Sequence, residues 1–334
     1  MNKLYPLKFE PIIKEPIWGG SKLRTVLNKE KASDQAGESW EISGVEGNIS
    51  VVENGFLAGN NLQELIEVYM GDLVGQKIFS QFGTDFPILI KFIDACNDLS
   101  IQVHPNDNIA AQRHHSFGKT EMWYVMQADE GSKLISGFSK EVSKKEYIKH
   151  LNNNTLPDIL NTVEVKPGDV FFMPAGRIHA IGKGILLAEI QQTSNITYRV
   201  YDYNRKDAQG NSRDLHTEEA VDVIDYKFRD DIKTPYIPKK NEAVNLADCR
   251  YFTTNLLEIK GTLERDMRIF DSFIIYMGIE GNATISYDDT EAININKGET
   301  ILIPASIEFY TINSDHESKL LEIYMAAKFE NNED

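Results

Sequence analysis

Residues 168–179 read GDVFFMPAGRIH, and residues 298–309 read GETILIPASIEF. Gly168 matches Gly298, Pro174 matches Pro304, and the intervening runs VFFM and TILI are both apolar and suited to strands, each pair offset by 130 positions. A turn glycine, a short buried strand and a turn proline repeated at that distance indicate two copies of one β-barrel unit. The copies differ at their ends, because His179 of the first is matched by Phe309 of the second. Whatever His179 does is therefore done once.

Working outward from the first copy, the segments FPILIKFIDA, LSIQVHP, EMWYVM, KLISGF, GILLAEIQQ and ITYRVYDY are short, rich in β-branched and aromatic residues, and separated by Gly, Pro, Asn and Asp. That spacing predicts a sandwich or barrel. Helices are expected at NLQELIEVYM, where Asn61 caps the first turn, at LVGQKIFSQF, at SKKEYIKHL, where Ser143 and Glu146 form a capping box, and at HTEEAVDVID from His216. Residues 1–58 read as an extended strand arm, and TPYIPKKNEAVN, with two prolines, reads as a linker. The expected organisation is a first domain over 1–235, a second, degenerate barrel over 236–330 that buries apolar surface against the first, and a tail at 331–334.

Composition narrows the function. Lys plus Arg total 35 against 51 Asp plus Glu, a net charge of −16. Such a charge repels nucleic acid and anionic lipid, so a phosphate-bearing ligand must be small and held by a local basic cluster. The two cysteines, Cys96 and Cys249, form neither a CxxC pair nor a disulfide framework. The N-terminal residues lack a secretory pattern, and no run approaches the roughly 18 apolar residues of a membrane-spanning helix. A cytoplasmic protein is expected, monomeric by default with a homodimer as the alternative.

The candidate chemistry is a metal site. In SIQVHPND, Gln102 and His104 are two apart and project from one face of a strand. Glu121 opens the strand EMWYVM, and His179 follows the Pro-x-Gly turn. A small barrel gathers these strand ends around its interior, bringing two imidazoles, a carboxylate and an amide oxygen to one ion. Lys119 shares the face of Glu121, and Arg199, in ITYRVYDY, lies on a strand returning to the barrel mouth. Arg177 is a further candidate for holding a phosphate, from its proximity to His179.

The motifs KFIDACNDLSIQVHPND, GKTEMWYV, PAGRIHAIG and AEIQQTSNITYRVYDYNR, with EPIWGG and GESWEIS upstream, resemble the short bacterial form of the type I phosphomannose isomerases, members of the cupin superfamily. The resemblance covers nearly the whole chain. It implies a mainly β fold of two cupin-type jelly-roll barrels with a few short helices, and one Zn2+ per chain on Gln102, His104, Glu121 and His179. It also implies an enzyme interconverting mannose 6-phosphate and fructose 6-phosphate through a cis-enediol, with Lys119 and Arg199 as active-site cations. Substrate-binding residues follow from the same similarity: Ser100 and Lys91 for the phosphate, Trp18 and Glu41 as walls of the sugar site.

Two positions depart from the family pattern. Asn195 stands where short forms commonly carry Asp, and Gly118 stands where longer members have His before the Lys. The proton-transfer base then falls to metal-bound water, Lys119 or Asp202. Two other functions fit parts of the same pattern. A pair of histidines with one carboxylate also describes the non-haem iron centre of cupin dioxygenases, and the same barrel can serve as a non-catalytic sugar-phosphate sensor.

Overall fold

The computed structural model describes residues 3–206, 209–288 and 291–325, so the expected tail lies outside the described residues. Its first unit is a sandwich. One sheet has six strands in the order Ile12–Lys14 (β1), Glu38–Ile42 (β2), Ile88–Ala95 (β3), Ile185–Gln192 (β10), Glu121–Ala128 (β5) and Val170–Met173 (β8). The facing sheet has five: Tyr198–Tyr201 (β11), Ile101–Val103 (β4), His179–Ile181 (β9), Lys133–Phe138 (β6) and Leu160–Glu164 (β7).

Strands β3 and β10 are buried along their whole length. That is why ILIKFIDA and ILLAEIQQ read as near-continuous apolar runs rather than as alternating ones. Their two faces meet different cores. Ile93, Ala95, Ile185 and Leu187 pack with Trp123, Val125 and Phe171 between the two sheets. Ile88, Ile90, Phe92, Leu186, Ala188 and Ile190 join a larger cluster that runs from Leu4 to Met325. Lys91, Glu121, Glu189 and Gln191 have the inward parity, which gives the sandwich interior a polar end.

The second unit keeps the strand order. Ala243–Asp248 (β12), Thr253–Asp266 (β13), Phe309–Tyr324 (β18), Ile274–Glu280 (β14) and Thr300–Ile303 (β17) are neighbours in that sequence, matching β2, β3, β10, β5 and β8. Asn282–Ser286 (β15) pairs with Ala292–Asn296 (β16) and with the long β18. Register extends the match to single residues. Ile274 pairs with Ile303 as Glu121 pairs with Met173, so an isoleucine stands where the first unit has its acidic candidate ligand. Phe309 is half exposed and covered by the Arg268 guanidinium, 4.2 Å from the ring centroid.

Helices form at all four expected segments, with differences in detail. Asn61 and Glu64 form a full capping box on Leu62–Tyr69. The single helix expected over LVGQKIFSQF is two, Gly71–Val74 and Gln76–Phe82, broken at Gly75 with φ 102°. Before Lys144–Asn152, Ser143 accepts from the Glu146 backbone, while the Glu146 carboxylate turns to Lys140 at 2.8 Å, so only half of that box forms. The N-terminal arm also reaches further than its expected domain. Leu7 exchanges two backbone hydrogen bonds with Leu302 on β17, at 2.8 and 2.9 Å. Among the described residues no helix is long and apolar enough to cross a membrane.

Candidate metal centre

The five-stranded sheet supplies three of the four expected ligands. On β4, Gln102 is in register with His179 of β9 and with Arg199 of β11. His104 follows at the end of β4, and Glu121 enters from the opposite sheet at the start of β5. His104, Glu121 and His179 are buried, with candidate ligand atoms all within 4.8 Å of one another.

Backbone carbonyls fix the imidazoles. His104 Nδ1 lies 2.8 Å from Ile196 O, and His179 Nδ1 lies 2.8 Å from Arg177 O. A carbonyl only accepts, so each ring carries its proton on Nδ1 and presents a bare Nε2 lone pair. Those lone pairs face Glu121, with His179 Nε2 at 3.2 Å from Oε1 and His104 Nε2 at 3.5 Å from Oε2. Neither contact is a hydrogen bond, because neutral Nε2 has no proton to give. His104 Nε2 and both Glu121 oxygens are accordingly buried without a hydrogen-bonding partner. Acceptors converging on acceptors need a cation between them.

Electrostatics point the same way. Burial, then the neighbouring Lys119, pushes His104 well below the ordinary histidine range, which keeps it neutral. Burial alone would raise Glu121, but the neighbouring Lys119 ammonium leads the groups that outweigh it and lower the carboxyl below its ordinary range. Gln102 Nε2 is 3.4 Å from His179 Nε2, and a half-turn of the amide places its oxygen there instead. The His179 ring packs edge-on against Trp123 with centroids 5.3 Å apart.

Lys119 is buried, with Nζ 3.5 Å from Glu121 Oε2. Arg199 lies toward the rim, its Nε donating to Ser100 Oγ at 3.2 Å and its Nη1 donating to the Asp214 carbonyl at 2.8 Å. Beside it, Arg205 and Arg213 both grip Asp202. Three arginines thus gather at one edge of an acidic protein. Arg205 and Arg213 are missed by reading strands, because the strand pattern stops at Tyr201 and both follow it.

The four other expected substrate contacts have these settings. Lys91 points into the interior, 3.1 Å from Glu189 and 3.4 Å from Glu38. Burial would lower its pKa, but the two carboxylates overcome that and keep it charged. Arg177 donates to the Phe172 carbonyl at 3.1 Å and to Asp231 at 3.2 Å, a clasp on the barrel wall. Trp18 is part of the apolar core between the sheets. Glu41 faces away from the metal site, bonded to Lys29 at 2.6 Å and to Ser39 at 2.5 Å. The register slips between Trp40 and Ile42. Glu38 and Trp40 are the residues of that strand that meet Lys91, the Trp40 centroid lying 5.0 Å from its Nζ.

The two departures also have structural settings. Asn195 is exposed in the loop after β10. A Cβ at Gly118 would lie 2.6 Å from the Asp107 backbone nitrogen and 2.7 Å from the Asn106 carbonyl carbon, so no side chain fits.

Comparison with known proteins agrees with this geometry. Residues 6–131 match the phosphomannose isomerase type I catalytic domain, and residues 242–323 match the mannose-6-phosphate isomerase cupin domain. The chain is 35% identical over 311 residues to mannose-6-phosphate isomerase ManA of Bacillus subtilis, covering 90% of this chain and 93% of that protein. It is 34% identical over 313 residues to the mannose-6-phosphate isomerase of Streptococcus mutans, covering 93% and 96%. The crystal structure of the Bacillus subtilis mannose 6-phosphate isomerase aligns with a TM-score of 0.85 at 33% identity, over 96% of this chain and 99% of that one.

Proposed function

The chain belongs to the type I mannose-6-phosphate isomerases, and on that premise we propose that it is a zinc enzyme interconverting mannose 6-phosphate and fructose 6-phosphate through a cis-enediol. The observation that carries the reading is the set of converging, partnerless acceptors: His104 Nε2 and both oxygens of Glu121, buried together beside His179. His104, Glu121 and His179, with Gln102 as an oxygen donor, would hold the ion. When bound, a zinc ion supplies Lewis acidity toward the sugar's carbonyl and hydroxyl oxygens.

The remaining work falls to the chain's own side chains. Lys119, buried against Glu121, is placed to carry the proton between the two carbons. Asp202 is not, since the hydrogen bonds from Arg213 and Arg205 outweigh burial and hold its carboxyl below the usual range, a poor base. Ser100 and Arg199, with Arg205 and Arg213 alongside, form the rim that binds the phosphate. Residues 1–235 are the catalytic unit in this reading, 236–330 its degenerate partner, and the protein acts as a cytoplasmic monomer.

Two histidines and a carboxylate also suit iron(II). The test is a coupled assay of mannose 6-phosphate conversion on purified protein, before and after chelation and with zinc added back, alongside elemental analysis. Chelator-sensitive turnover restored by zinc supports the isomerase. Full zinc occupancy without turnover sinks it in favour of a sugar-phosphate sensor, and iron with oxygen consumption sinks it in favour of a dioxygenase.

A further inference from the structure

The segment that delivers Lys119 and Glu121 is held from outside its own barrel. Asp107 begins the helix Asp107–His114, three residues after His104. Its Oδ1 accepts from the Gly118 backbone at 2.9 Å and from Gln192 Nε2 at 2.8 Å. Gln192 in turn accepts from the Thr120 backbone at 2.8 Å through its side-chain oxygen. Both neighbours of Lys119 are thus tied to one carboxylate, and the Lys119 backbone itself donates to the Pro105 carbonyl at 3.0 Å. The remaining oxygen of Asp107, Oδ2, accepts from the Tyr251 hydroxyl at 2.8 Å. Tyr251 lies between β12 and β13, in the second barrel.

We propose that Tyr251 is a positioning residue for the metal centre: acting through Asp107, the second barrel fixes the path of residues 118–121, and with it the Lys119 ammonium and the Glu121 carboxylate. The inference rests on the isomerase reading above and assigns the degenerate barrel a part in it. The physical reason is the missing room at Gly118. Its Cα runs against the Asp107 backbone, so a small rotation of the Asp107 carboxylate is transmitted to Gly118 and Thr120 rather than absorbed. Burial and the adjoining Asp107 charge raise the Tyr251 phenol, which keeps it protonated and donating. A phenol held in this way is a fixed peg, and outer contacts of this kind govern how well inner ligands are aimed.

The test uses the full-length protein. Tyr251→Phe should lower kcat about tenfold while leaving KM for mannose 6-phosphate within about twofold, and should speed zinc transfer to a competing chelator by a similar factor. Asp107→Ala should reproduce both changes. Asp107→Asn should recover most of the loss, because its carbonyl oxygen still accepts from Gly118 and Gln192 while its amide donates to the phenol oxygen. Zinc-free Tyr251→Phe should melt within about 2 °C of the zinc-free parent. Parental kcat and zinc release in Tyr251→Phe, beside an active and zinc-loaded parent, overturn the inference alone. So does a loss of kcat that comes with parental zinc release and a lowered melting temperature. A parent that neither binds zinc nor turns over overturns the isomerase reading and this inference together.

Discussion

Glu189 and Glu322 occupy the same place in the two barrels. Glu189 is in register with Lys91 on one side and Trp123 on the other, and Glu322 with Asn255 and Tyr276. Each accepts from its aromatic neighbour, Trp123 Nε1 at 2.9 Å and Tyr276 Oη at 2.7 Å. Each is neutralised by a cation, from Lys91 at 3.1 Å and from Arg265 at 2.6 Å. The pattern GxxxxxP shows the repeat in the sequence, and this buried carboxylate shows it in the core.

Removing either cation strands a buried charge. Lys91→Met removes the ion-pair partner of both Glu189 and Glu38 and is expected to cost about 3–5 kcal/mol in urea unfolding, with Arg265→Met costing a similar amount. Adding Glu189→Gln to Lys91→Met should recover part of it. A fully stable Lys91→Met protein with a raised KM would instead return Lys91 to phosphate binding.

The metal should act as a stabilising ligand. With free zinc about a thousandfold above its dissociation constant, the loaded protein should gain about 4 kcal/mol, read as a rise in melting temperature that a chelator reverses. Glu121→Gln keeps the shape but removes the charge between His104 and His179, so zinc should no longer shift its unfolding. Identical melting curves for the parent with and without zinc would contradict the site.

Lys119→Met should cut kcat about 10²–10⁴-fold, the usual worth of a proton carrier, while folding normally. Asn195→Asp, at an exposed loop position, should change kcat less than about twofold and stability by less than about 0.5 kcal/mol. A large gain in rate from Asn195→Asp would show that the loop supplies the base and that this chain is a slow form.

Stability should fall in acid through Asp202. Its pKa is depressed in the folded chain, so its contribution is complete above the unfolded value of about 4 and is lost as pH falls below that through the folded value. Asp202→Asn should flatten the fall of melting temperature with pH in that window and leave the profile between pH 6 and 8 unchanged. An unaltered acid limb would mean that the arginine clasp carries no net stabilisation.

What the sequence shows plainly is what depends on spacing. The Gln-x-His pair, the offset repeat and the turn before His179 are local patterns with fixed consequences, and all four expected ligands come together. What it hides depends on register. In GESWEIS the two glutamates have opposite parity on the strand, and only the pairing of Glu38 with Ile93 and of Trp40 with Lys91 shows that Glu38 is the one facing inward. The setting of Lys91 between Glu189 and Glu38 is also hidden, because a sequence does not show which distant carboxylates a lysine will meet. Arg205, Arg213 and Tyr251 lie in loops with no periodicity, and their roles depend on where those loops return.

The bridge between Leu7 and Leu302 sets an order of events during synthesis. Leu302 follows Leu7 by nearly three hundred positions, so both backbone groups that Leu7 meets are synthesised long after Leu7 itself. Until then the arm has an open edge, and the apolar outer faces of β3 and β10 wait for a partner that has not been translated. A growing chain therefore carries that surface unfinished for as long as the second barrel is missing.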